Sequence, residues 1–305
     1  MDIVFRVTAK KNIPELLPIG GGIKMKKKML TVAIFLIFIS TCAYAATLNV
    51  GGKSLEIPNP QGFSVVTPEM KGVYRWIPDM MSPEIDQLTI YIPDADIPES
   101  TNNEMYEMQR YFALTIYKVF KEETYSTEKF SDFKDIVKKE NKEKIDSISS
   151  QVFKNNTKDP NKKISNAYDV ALALQKFNSV PLEPHYETDN AISMSTFNDA
   201  GTTEGGEKKL AIYSITTTII NVAGKIIYLN CVGLTDEVEW TRSASKFWAE
   251  NIMNNNPAPE KSSEKRIFDL SNILSSKYFP LVVLAIAAFS FFRKLRITLK
   301  TRRKN

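Results

Sequence analysis

Three rhythms of apolar residues run along this 305-residue chain, and each predicts a different kind of element. Continuous apolar runs stand near the two ends, while period-two and helical patterns fill the middle. "LNVGGKSLEI" places two short apolar stretches around Gly51 and Gly52 and predicts a hairpin. "QLTIYI" (87–92) and "YFALTIYKVF" (111–120) alternate at period two, with Phe112, Leu114, Ile116 and Phe120 sharing a face. "PDADIPESTNNE" between them reads as a loop, and "IPNPQGFSVVTPE" upstream is rich in turn residues. Over residues 127–152 the period lengthens to that of a helix. Phe130, Phe133, Val137, Ile145, Ile148 and Val152 line one side, Asn141 interrupts it, and the charges of "KKENKEK" fill the other. Ser126 or Thr127 can cap its start.

After "NNTKDPNKK", residues 165–177 predict a second helix with Ala167, Ala171 and Leu174 on its inner face. "KKLAIYSITTTII" and "KIIYLNCVG" are rich in β-branched residues and meet at residues 221–224, the spacing of an antiparallel hairpin. A last helix starts near Asp236, with Glu239 three residues on as in a capping box. It carries Trp240, Ala244, Phe247, Trp248 and Ile252; Trp240, Phe247 and Trp248 could line a ligand groove, but at helical spacing core is their expected role. Strands, two helices, strands and a helix read as an α+β domain over residues 46–256, an antiparallel sheet flanked by helices, with one C-terminal transmembrane helix. The opening "IPNPQGF" and the closing "AGKIIYLNCVG…EVEWTRSASKFW" give this order an architecture-level resemblance to the PsbP/Mog1-like fold. The resemblance covers about the last 50 residues of the domain and one early motif. It implies a fold and partner binding rather than a catalytic motif, since a fold does not fix a function.

The ends supply the topology. "YFPLVVLAIAAFSFF" (278–292) is apolar, and extending it back to Ile273 reaches the roughly 20 residues that a membrane span needs. Lys277 can snorkel, and Tyr278 and Phe279 suit an interfacial belt. Arg293, Lys294, Arg296, Lys300, Arg302, Arg303 and Lys304 follow without an acid, which marks residues 293–305 as a cytoplasmic tail. Near the other end, "MKKKMLTVAIFLIFISTCAYA" (25–45) joins a basic start, an apolar run and the A-x-A pattern of a signal peptide. Met25 then reads as the true start, with residues 1–24 an upstream extension. An uncleaved N-terminal anchor is the alternative, and lipidation at Cys42 is disfavoured by the bulk of Thr41. The expectation is a bacterial inner-membrane protein crossing once at 273–292. A linker over 257–272 joins the span to a domain that is periplasmic or extracellular.

Charge sharpens this picture. The net charge of +5 comes from the ends: residues 1–45 carry +5 and residues 293–305 carry +7, so residues 46–292 hold −7. An acidic domain lacks the electrostatic footprint of nucleic-acid binding. Cys42 leaves with the signal peptide and Cys231 stands alone in an apolar run, where a small buried residue is the expected role.

Candidate chemistry is sparse. His185 is the one histidine and sits in "VPLEPHYETDN", with no nucleophile elbow nearby. A solvated loop or strand-edge histidine is expected, and a zinc site has too few donors. Asp79, Glu84, Asp86, Asp94 and Asp96 offer oxygens without the EF-hand glycine and terminal glutamate. Glu183, Glu187 and Asp189 would be the carboxylates of a glycosidase-like pair. "GTTEGGEKK" (201–209) lacks P-loop order and reads as a hairpin loop. Asn155-Asn156-Thr157 is a glycosylation sequon of use only in a eukaryotic secretory pathway. No cofactor motif is present. The leading expectation is an envelope-assembly or partner-binding domain, with binding surfaces around residues 76–105 or 179–207. The rivals are an anchored hydrolase using Asp94, Asp96, Glu183 and Glu187, and a surface protein processed at its C-terminal span.

Overall fold

The computed structural model describes residues 45–258, except 75–76, 78–81, 103–105, 107, 154–161, 163, 165–166, 200, 205–206 and 210–211. Nearly all of the signal segment and of the linker, and the sequon, the expected span and the basic tail, lie outside these residues. Among the described residues no helix is long and apolar enough to cross a membrane.

The elements in chain order are β1 (Ala45–Val50), β2 (Lys53–Pro58), β3 (Phe63–Val65), α1 (Lys71–Tyr74), β4 (Ile85–Pro93), α2 (Ile97–Asn102), β5 (Tyr111–Tyr117), α3 (Lys118–Lys121), α4 (Thr127–Phe153), α5 (Ala167–Leu174), β6 (Ser179–Pro181), β7 (Tyr186–Thr188), β8 (Ala191–Asp199), β9 (Thr202–Glu204), β10 (Glu207–Lys209), β11 (Ile212–Val222), β12 (Lys225–Leu234) and α6 (Val238–Asn255). The fold is α+β. An eight-stranded sheet runs β3-β4-β5-β12-β11-β8-β6, with β7 also on β8, and every described pairing is antiparallel. β1–β2 and β9–β10 form separate hairpins.

Register explains the layering. Ser195, Thr216, Cys231, Phe112 and Tyr91 are successive cross-strand partners and so share one sheet face. α6 lies over this face, with Trp248 edge-on to Tyr91 at 5.4 Å and to Phe112 at 5.2 Å. The Trp248 indole N–H donates to Pro58 O at 2.7 Å and ties the β1–β2 hairpin to the same layer. On the opposite face Val66, Met70 and Val73 cluster with Ile90, Ile92, Tyr111 and Val232. α4 adds Phe130, Phe133 and Val137 to the main core, which also holds Ile192, Met194 and Ile219. Both faces are therefore covered, and every residue of β5 and of β8 is buried. Cys231 is fully buried and free, as its apolar setting led one to expect.

The hairpin at Gly51–Gly52 is present, with φ of 50° and 74°. A Cβ on Gly51 would stand 1.8 Å from Lys121 O, so this turn requires glycine for space as well as for φ. Beside it the buried Lys225 ammonium donates to Lys121 O and Glu123 O, each at 2.8 Å, which offsets its loss of water. α4 matches its expected span, Ser126 Oγ accepts from Lys129 N at 3.3 Å, and all six periodic apolar residues are buried. The polar break has a purpose, because Asn141 is 1 % exposed and donates from Nδ2 to Leu182 O at 2.9 Å.

Five expectations need correction. β5 ends at Tyr117, and Phe120 lies on α3, where its ring packs on Tyr117, Tyr125 and Phe133 rather than along the strand. Part of the expected loop after Pro93 folds as a 3₁₀ turn (Asp94–Asp96) and α2; Pro98 is second in α2, where a missing N–H is tolerated. α5 buries Val170, Ala173 and Leu174 and exposes Ala171, because its larger side chains meet Val152, Phe153 and Val180. A 3₁₀ turn (Thr235–Glu237) precedes α6, and Glu237, not Glu239, accepts the backward bond from Leu234 N at 2.8 Å. Phe247 points outward and is 54 % exposed.

Candidate functional site: a cleft at the start of α6

Leu182 and Glu183 leave β6 along the outside of β8, held there by the bond from Leu182 N to Ser195 O at 2.8 Å. Asn141 fixes Leu182 O from the α4 side. Opposite this segment, β12 ends at Leu234 and the 3₁₀ turn delivers the chain into α6. α5 closes a third side. Between them opens a cleft of about 810 Å³. Its interior is apolar, formed by Val170, Leu182, Phe197, Ile212 and Val238, and Leu234 at its border is 38 % exposed. Glu183, Asp236 and Arg242 bring charge to the same cleft. Such an apolar hollow with a few polar groups is the usual form of a binding site.

Behind the cleft, hydroxyls run from β8 through β11 to α6 in two rows. In one, His185 Nε2 stands 3.2 Å from Ser193 Oγ, Ser193 Oγ 2.9 Å from Thr218 Oγ1, and Thr218 Oγ1 2.7 Å from Ser245 Oγ. In the other, Arg242 Nε donates to Ser195 Oγ at 3.2 Å, Ser195 Oγ lies 2.9 Å from Thr216 Oγ1, and Thr216 Oγ1 lies 2.8 Å from Thr241 Oγ1. Thr241 Oγ1 donates onward to Val238 O at 2.9 Å. Arg242 also reaches Glu239 Oε1 at 2.8 Å.

His185 precedes β7 at the sheet edge, and its N–H donates to Ser193 O at 3.1 Å. The residue is exposed overall, but burial of the ring and then the Arg242 charge push its pKa down to about 4, with Glu239 pulling the other way. Ser193 and His185 meet, yet Ser193 is fully buried and already shares its hydroxyl with Thr218. A serine nucleophile must reach a carbonyl. This one faces the helix–sheet interface.

The carboxylates considered from sequence are scattered. Asp94 accepts from Ser64 Oγ at 2.7 Å and Asp96 from the Tyr106 hydroxyl at 2.5 Å. Asp86 pairs with Lys121 at 2.8 Å, and Glu84 accepts from the Ser82 hydroxyl. Glu187 pairs with Lys134 at 3.1 Å and Lys138 at 3.2 Å, while Glu183 lines the cleft. Among the described residues no three His, Cys, Asp or Glu side chains gather to hold a metal ion. Asp79 lies outside the described residues.

The two segments expected to bind partners contain much regular structure, including β4, α2 and β8. Of the second, Leu182, Glu183 and Phe197 do contribute to the cleft. Leu234, Val238 and Arg242 are additions from outside both segments. The hydroxyl rows had a legible signal: Ser193/Ser195 and Thr216/Thr218 stand two apart on strands, and Thr241/Ser245 four apart on a helix. No family model matches this chain, and no curated protein matches it.

Proposed function

We propose that this chain is a single-pass membrane protein of a bacterial envelope whose exported α+β domain binds a protein partner through the cleft at the start of α6. Residues 273–292 supply the anchor, residues 25–45 the export signal, and the basic residues 293–305 hold the tail in the cytoplasm. The observation that carries the reading is the cleft itself. It is open, apolar inside and charged at its edge, and Leu234 stands exposed at its border. A partner that covers Leu234 and fills the space above Phe197 would bury the apolar area that such contacts depend on.

A photo-crosslinking residue at Leu234, in the full chain in its native membrane, tests this. The expected result is one defined adduct that is absent when the crosslinker stands at the exposed Val119 and is lost on Arg242→Glu. Equal, unspecific labelling from both positions would remove support for the cleft as the binding surface.

A further inference from the structure

The two hydroxyl rows behind the cleft differ at their ends, and the ends decide which way each proton points. In the row that begins at Arg242, Nε can only donate to Ser195 Oγ, and at the far end Thr241 Oγ1 donates to Val238 O. The protons between them all find acceptors in one direction alone, Ser195 to Thr216 and Thr216 to Thr241. The row that begins at His185 ends at Ser245, whose hydroxyl has Thr218 as its one hydrogen-bond partner among the described residues. Ser193, Thr218 and Ser245 are each 0 % exposed, so water does not supply another. A buried hydroxyl proton without an acceptor is costly. The Ser245 proton therefore goes to Thr218, the Thr218 proton to Ser193 and the Ser193 proton to His185 Nε2. That order requires a bare Nε2 and puts the ring proton on Nδ1.

We infer that the His185 row is an acid-sensitive latch on α6: at neutral pH it runs unbroken from His185 through β8 and β11 to Ser245, and protonation of His185 undoes it. A proton on Nε2 turns that atom from acceptor to donor. Ser193 must then accept, the hydroxyls behind it turn, and the Ser245 proton is left buried without a partner. The charged groups that face His185 both stand on α6: Arg242 opposes its protonation and Glu239 favours it. β8 meets the ring with the Ser193 hydroxyl, and Glu187 on β7 is held by Lys134 and Lys138 of α4. The Arg242 row has no such switch, because a guanidinium keeps its charge throughout this range. Acid therefore loosens α6 at Ser245 and leaves it tied at Thr241. The latch stands whether or not the cleft takes a partner.

His185 is the single histidine of the chain, so the full chain labelled with ¹⁵N-histidine and held in detergent micelles shows one imidazole by NMR. At neutral pH its ring nitrogens are expected to report a bare Nε2 and a protonated Nδ1. This measurement needs no substitution, and a proton on Nε2 would overturn the inference. Ser193→Ala removes the hydroxyl that must turn, and should raise the proton affinity of His185 by about tenfold. By linkage, the stability that Ser193→Ala loses at neutral pH should shrink as pH falls toward the His185 titration, while the loss in Ser195→Ala, on the Arg242 row, stays constant. An unchanged His185 titration in Ser193→Ala, or losses that shrink alike in the two variants, would equally overturn the latch.

Discussion

α6 rests on two different surfaces of one sheet. Over β3, β4 and β5 it meets rings: Tyr91 and Phe112 against Trp248, and Phe63 and Phe112 against Trp240, with centroids 4.8 to 6.2 Å apart through the cluster. Over β8 and β11 it meets hydroxyls, all fully or nearly fully buried. The aromatic side is held by area removed from water and by edge-to-face geometry. The hydroxyl side gains little from burial. Its short side chains let helix and sheet approach closely, and its polar atoms escape a desolvation cost only because each finds the next. One side tolerates change in proportion to volume, while the other depends on a complete chain of partners.

The sharpest test of the aromatic side is Trp248→Ala. It removes the largest fully buried side chain and the donor to Pro58 O, and should cost about 3–5 kcal/mol in urea unfolding. On the hydroxyl side, Thr218→Val keeps the shape but takes from Ser245 its partner on the sheet and leaves Ser193 to His185, for a loss of about 1–3 kcal/mol. The triple change Ser193→Ala, Thr218→Val and Ser245→Ala should recover more than half of that loss. A triple variant less stable than the single one would show that the row does not act as a unit.

A smaller effect follows from His185 at the end of the row. Its folded pKa of about 4 lies below its ordinary 6.5, so the unfolded chain binds the proton more readily. The stability held by the neutral ring is complete above pH 6.5 and is lost as pH falls toward 4. Because the residue is exposed, solvent screening holds the loss to about 1 kcal/mol. Thermal midpoints taken between pH 7 and 4 should fall less in His185→Gln than in the parent, and parallel curves would contradict the assigned environment. The smallest change is expected from Phe247→Ser on the outer side of α6, within about 0.5 kcal/mol. A larger loss there would mean that Phe247 is covered in the membrane-bound protein.

The sequence by itself determined the elements whose pattern is local. α4 is legible because six apolar residues repeat at helical spacing beneath a charged face, and β11–β12 because β-branched runs flank a short turn. The class, helices on an antiparallel sheet, follows from their order. Local pattern could not say which faces meet. Phe247 reads as core by hydropathy, yet α6 turns Thr241 and Ser245 inward, since only their partners on β8 and β11 make those hydroxyls acceptable there. α5 is a smaller case of the same kind, its phase set by Val152 and Val180 rather than by its alanines. The cleft was least legible of all. Leu182, Phe197, and Leu234, Val238 and Arg242 come from three separate stretches of chain, and each alone reads as an ordinary apolar or surface residue. Only the sheet order, which sets β8 beside β11 and returns β12 to the start of α6, makes one surface of them, because a concavity belongs to the packing of elements and not to any element's own periodicity.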